Sequence, residues 1–154
     1  MDARAAELIR SLELTAHPEG GYYRRTFQAA QTVGGRRTSS AILYLLPGGV
    51  HGRWHAVDAD ELWHFYEGAP LELLIAETPD AVLHERLGPV CADQLPQRAV
   101  PAHAWQAARS LGAFTLVGCT VAPEFQFSSF RLLGDDAAAQ RQWPQLVDQY
   151  GAFL

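Results

Sequence analysis

The stretch from residue 42 to residue 68 limits most what this chain can fold into. Ile42-Leu43-Tyr44-Leu45-Leu46 is an unbroken apolar, strand-like run, stopped by the turn Pro47-Gly48-Gly49. After Arg53-Trp54-His55 and a short acidic turn comes Glu61-Leu62-Trp63-His64-Phe65-Tyr66-Glu67-Gly68. There Glu61, Trp63 and Phe65 share one parity, and Leu62, His64 and Tyr66 the other. A period of two places the two sets on opposite faces of a strand. Both faces carry aromatic residues, as when one lines a cavity or core and the other meets a second sheet or a partner subunit. A glutamate at the head of this strand, six residues after a histidine, is the first sign of a site.

The same rhythm fills the middle of the chain. Strands are predicted at 39–46, 52–57, 62–66, 71–76, 81–87, 114–121 and 125–132, with turns every 8 to 12 residues. A proline turn at Val100-Pro101 leads into 103–108. No helix of crossover length separates these runs, which excludes a βαβ layout and indicates an all-β sandwich or barrel. Residues 3–14 read as a short helix from the spacing of Ala5, Leu8, Ile9 and Leu12, and residues 136–150 as a helical tail broken at Pro144. Residues 28–37, polar and glycine-rich, read as an exposed loop.

The 154 residues suit one domain, with no repeat and no second unit. A formal net charge of -5 argues against a nucleic-acid partner, which calls for a basic patch. No window of 18 uncharged apolar residues suggests a membrane span, and the first residues lack a signal-peptide core. Cys91 and Cys119 have no metal or redox spacing, so free thiols and a cytoplasmic location are expected.

Gly49, His55, Glu61 and Gly68 resemble the first motif of the cupin superfamily, and Val100-Pro101-Ala102-His103-Ala104-Trp105-Gln106 resembles the second. Three blocks bring the chain closer to the uncharacterised cupin-5 family, formerly a domain of unknown function. They are His17-Pro18-Glu19-Gly20-Gly21-Tyr22-Tyr23, Asp60-Glu61-Leu62-Trp63-His64-Phe65-Tyr66, and Leu116-Val117-Gly118-Cys119-Thr120-Val121-Ala122-Pro123. The resemblance covers about residues 8–133 and implies an all-β, cupin-like double-stranded β-helix (jelly roll) with short N- and C-terminal helices. Metal-dependent cupins hold their ion with three histidines and the glutamate. Here Arg53 stands where the first histidine would be and Gln106 where the third would be. That leaves His55 and Glu61 as the ligands if a metal binds, unless His51 or His103 swings in; no metal and no cofactor is expected. The resemblance extends to metal-free, jelly-roll epimerases of sugar nucleotides, in which a histidine is the base and a tyrosine the acid.

Within that frame His55, Glu61 and Tyr23 are the candidate catalytic residues. Glu61 is expected to orient the His55 imidazole and raise its pKa; a structural ion pair is the alternative. Either Tyr22 or Tyr23 could be the acid. Arg53 either clamps an anionic ligand or makes a rim salt bridge to Asp58 or Asp60. Trp63, Phe65 and Trp105 offer flat apolar walls, or simply fill the core. Gln97 and Gln106 suit a neutral polar ligand. His17 and Glu19 complete the polar set, His17 alternatively capping local backbone. His64 has the outward parity, His84 reads as an exposed strand residue, and Cys119 as an inert core thiol.

The function expected is that of a small-molecule pocket, with three alternatives. It is a metal-independent isomerase or epimerase acting on a sugar-like or carbonyl metabolite, a non-catalytic binding protein, or a metal-dependent oxygenase or lyase. The edges and outer aromatic face of a jelly roll also predict a homodimer.

Overall fold

The computed structural model describes all 154 residues. After helix α1 (Ala3–Ser11) come β1 (Thr15–Ala16), β2 (Tyr22–Gln28), β3 (Thr32–Val33), β4 (Arg36–Arg37), β5 (Ser40–Pro47) and β6 (His51–Ala56). Then follow β7 (Asp60–Gly68), β8 (Leu71–Thr78), β9 (Ala81–Leu87), β10 (Gln97–Val100), β11 (Trp105–Ser110), β12 (Phe114–Ala122) and β13 (Arg131–Leu132). Helices α2 (Ala137–Gln142) and α3 (Pro144–Gln149) end the chain, divided where Pro144 enters the first turn.

Of the sandwich or barrel expected, the main strands form two sheets. One has the order β1-β2-β5-β12-β7-β10 and the other β13-β6-β11-β8-β9, all their named pairs being antiparallel. The β-rich, cupin-type fold with short terminal helices is thus present. Three apolar clusters define its layers. Tyr44, Leu46, Trp63, Val117 and Cys119 of the first sheet meet Leu71, Leu73, Ile75 and Ala108 of the second, which puts the main core between the sheets. Ala5 and Leu8 of α1 cover Leu45, Phe114 and Leu116 on the outer face of the first sheet. The C-terminal segment, through Ala139, Leu146 and Phe153, covers Trp54, Leu74 and Trp105 on the outer face of the second. Each fully buried leucine in these clusters contributes about 1.5–3 kcal/mol.

Strand parity explains most of this placement. On β7, Glu61 and Trp63 are buried and Phe65 packs against the central core, while Leu62 and His64 turn outward. Near Tyr66 the ladder to β12 slips by one residue, with Leu116 opposite Glu67 and Val117 opposite Phe65. The bulged Tyr66 lies over Gly118, where a Cβ would come within 2.3 Å of its hydroxyl.

Two expectations change. Residues 28–37 contain the β3–β4 hairpin, turned by Gly34 and Gly35 with positive φ of 60° and 81°. Arg36 anchors it through two 2.9 Å hydrogen bonds to Asp58. The predicted strand at 125–132 is instead a 3₁₀ turn, Phe127–Ser129, followed by the two-residue β13. Alternation there arises because Phe125, Phe127 and Phe130 pack on one another, with ring centroids 4.9 to 6.0 Å apart, rather than on two faces of a ladder.

Candidate functional site

The tight turn from His17 to Gly21 builds the site. His17 N–H donates to Gly21 O and Gly20 N–H to His17 O, both at 3.0 Å. Gly20 has φ +111°, and a Cβ there would sit 2.5 Å from His51 O, so only glycine lets the turn lie against β6. Arg53 N–H then donates to Glu19 O at 2.7 Å. That backbone bond brings the Glu19 side chain to His55, two residues further along β6.

His55 is buried, and its Nδ1 lies 2.8 Å from Arg53 O. A carbonyl only accepts, so Nδ1 carries the proton and Nε2 is the free ring nitrogen. Nε2 faces Glu19 Oε2 at 3.2 Å. Burial pushes the Glu19 carboxyl up to about 8 and the His55 imidazole down. Burial thus favours the neutral form of both groups across this contact. His17 Nδ1 accepts from Glu19 N–H at 3.2 Å, so this ring caps the turn. Burial, with the charge of His55 second, lowers its pKa to about 3.

Glu61 has a different setting. Gln106 Nε2 donates to its Oε2 at 2.5 Å, and Gln106 Oε1 accepts from Trp63 Nε1 at 2.9 Å. Burial raises the pKa of Glu61, and a protonated His55 would offset this in part. Glu61 makes no hydrogen bond to the imidazole, contrary to expectation: Arg53 O holds the ring, and an ionised Glu61 favours the protonated form of His55.

His17, Glu19, Tyr23, His55, Glu61 and Trp63 line one cavity of about 30 Å³, room for about two waters. Tyr44, Cys119, Ile42, Ser40, Val57, Val121, Phe125 and Arg25 complete it. Of the two tyrosines, Tyr23 lines the cavity, edge-on to His17 at 4.5 Å, whereas Tyr22 packs toward α1. Gln106 reaches the site only through Glu61 and Trp63.

Other candidates lie elsewhere. Trp105 adjoins Gln106 on β11 and so faces the opposite way, into the layer under the C-terminal helices. Phe65 packs against the central core and is not among the cavity-lining residues. Gln97 is on the outer face, 3.3 Å from His64 Nδ1. Arg53 donates to Pro18 O at 2.7 Å and meets neither Asp58, held by Arg36, nor Asp60, which caps Ala102 N–H. Residues not singled out from sequence include Tyr44, whose hydroxyl donates to Gly20 O at 2.9 Å, and Arg25 at the mouth, which donates to Phe125 O at 3.2 Å. Parity with Ile42 and with Tyr23 was the available signal. Cys119, read as a core thiol, is buried but also lines the cavity, opposite Trp63 and Ile42 in the ladders.

The metal-binding set of other cupins does not fit this geometry. No group of three or more His, Cys, Asp or Glu side chains is arranged to hold an ion. Gln106 is committed to Glu61 and Trp63. His51 is bonded to Ala152 O and stacked on Phe153, and His103 is exposed, so neither supplies a ligand.

Comparison with known proteins agrees with the fold. The family described as "Cupin superfamily (DUF985)" matches residues 6–133. The chain belongs to this cupin family. A crystal structure of a Shewanella oneidensis protein shares 32% identity with it over 92% of this chain and 90% of that one, with a TM-score of 0.83. A hypothetical protein from Leishmania major shares 25% identity over 97% and 95%, with a TM-score of 0.78. Bacillus subtilis oxalate decarboxylase, at 12% identity, covers 88% of this chain and 34% of its own with a TM-score of 0.62, a likeness of fold alone. Among curated proteins no similar sequence was found. No helix is long and apolar enough to cross a membrane.

Proposed function

We propose that this cupin is a metal-independent isomerase or epimerase that moves a proton on a small sugar-like or carbonyl metabolite. The buried 3.2 Å contact between His55 Nε2 and Glu19 Oε2 on the cavity wall carries this reading. Proton transfer beside a carbonyl needs a base for carbon and an acid for oxygen. A neutral Glu19–His55 pair contains both. When a ligand enters, Glu19 gives its proton to the carbonyl oxygen, and the freed His55 Nε2 takes the proton from the adjacent carbon. The product of that step is an enol, and the reverse step on the other carbon or face completes the isomerisation. Glu61 stabilises the imidazolium by its charge, and Tyr23, lining the same cavity, is the second acid.

The test is proton exchange from small hydroxy-carbonyl compounds in D₂O, followed by NMR. His55→Gln is expected to abolish exchange with the fold intact. Glu61→Gln is expected to lower the rate and move the acidic limb of the pH profile to lower pH, because the Glu61 charge raises the His55 pKa. Exchange should survive chelator treatment, and elemental analysis should find well under one equivalent of transition metal. Binding without exchange in any compound would replace this reading with that of a binding protein; loss of exchange with metal would restore a metal-dependent one.

A further inference from the structure

Glu61 is the unusual member of the cavity. It is 7% exposed, and its one side-chain hydrogen bond is to a neutral group, the Gln106 amide. No lysine or arginine forms a salt bridge with it. A buried carboxylate without a counter-ion is costly, so burial favours the neutral form of Glu61 until a cation comes to face it. The neighbouring groups do not supply one. His55 lies against Glu19, burial favouring the neutral form of each, and His17 is an acceptor from Glu19 N–H. Arg53 is turned to Pro18 O, and Arg25 sits at the mouth, where it is exposed to water. The cavity interior therefore holds two carboxyl groups and no fixed positive charge, and a cation entering it would favour the ionised form of Glu61. Tyr23, Tyr44, Trp63 and Phe125 line it as well, and the ring electrons of such side chains attract cations.

We infer that the ligand of this cavity carries an ammonium group that is seated against Glu61 among these aromatic side chains. This rests on the reading of the same cavity as the substrate site, and it narrows the substrate to amine-bearing compounds, such as an amino-carbonyl. An anionic group would meet Glu61 at close range in a dry site, where like charges repel most strongly. The volume of about 30 Å³ admits a head group the size of methylammonium, so the rest of the molecule lies toward the mouth. Arg25 stands there and disfavours a second cation. The ligand is thus a monoamine whose remaining part is neutral or anionic.

The experiment measures thermal unfolding with methylammonium chloride or ethanolamine hydrochloride against sodium chloride of equal ionic strength, with methanol and ethylene glycol as neutral counterparts. Saturable stabilisation by the two amines alone is expected. Glu61→Gln keeps an acceptor for Gln106 and is expected to weaken the apparent amine affinity about tenfold, as for one lost charge-assisted hydrogen bond. Near-UV circular dichroism of the variant, together with its unfolding temperature in sodium chloride, shows whether it folds; if it does not, Glu61→Asp, which keeps the charge, should retain the amine effect. Stabilisation no greater than that of sodium, equal stabilisation by the neutral compounds, or undiminished amine affinity in a folded Glu61→Gln would overturn the inference. Exchange on neutral carbonyl compounds without amine binding removes only this inference. Amine binding without any exchange removes only the catalytic reading.

Discussion

Glu19 and His17 differ by two positions and hold protons in opposite senses. Burial raises Glu19 from its ordinary 4.5 to about 8, so the folded chain favours the protonated acid. Burial lowers His17 from its ordinary 6.5 to about 3, so the folded chain favours the neutral ring. Linkage gives each a stability slope. The Glu19 contribution is fully present below pH 4.5 and is lost as pH rises through about 8. The His17 contribution is fully present above pH 6.5 and is lost as pH falls through about 3. The two opposed slopes overlap between pH 4.5 and 6.5, so urea unfolding of the single variants is what tells them apart. Glu19→Gln is expected to flatten the decline between pH 4.5 and about 8, and His17→Gln the one between pH 6.5 and about 3. An unchanged decline toward pH 8 in Glu19→Gln would show that another group holds the proton. The residue types of this site were legible in the sequence, because histidine, glutamate and tyrosine beside a glycine turn are chemically conspicuous. Their pairing was not. His55 was matched to Glu61, six positions away, whereas a backbone bond from Arg53 to Glu19 carries the more distant carboxyl to it.

At the scale of elements, parity within a strand was readable and contact between segments was not. The inner set of β7 follows from alternation alone, as does the outward turn of His64. The same rule separates Trp105 from Gln106, which as neighbours cannot wall one cavity. The segment after Ala122 was misread because alternating phenylalanines resemble a strand when no ladder partner is known. Glycine turns give a sharper test of how segments meet. Gly20→Ala forces a side chain onto φ +111° and against His51 O, and is expected to cost about 3 kcal/mol or more. Gly34→Ala, at φ +60° with no atom within 4 Å, should cost only about 1–2 kcal/mol. Equal losses in urea unfolding would mean that backbone strain, rather than the approach of the turn to β6, sets the requirement for glycine at position 20.

At the scale of the whole molecule, both sheets are covered on their outer faces, but unequally. The second sheet has α2, α3 and the terminal Phe153 over Trp54 and Trp105. The first has only α1, packed near Leu45, Phe114 and Leu116. Beyond α1, the outer face of β7 presents half-buried Leu62 and His64 and a Tyr66 that is 54% exposed. An aromatic side chain on an antiparallel sheet face is a favourable place for a two-fold contact, where the same patch meets itself and each ring is covered by its counterpart. The expected state is therefore a homodimer with this face buried. Sedimentation equilibrium at micromolar concentration should give twice the 16.9 kDa chain mass. Tyr66→Lys places two like charges near the axis and should return the mass to that of one chain. Because Tyr66 is bulged outward, away from the core between the sheets, the monomeric variant should keep its near-UV spectrum and the geometry of the Glu19–His55 cavity. A single-chain mass for the unaltered protein would end the proposal, and a dimer that survives Tyr66→Lys would move the contact to another face.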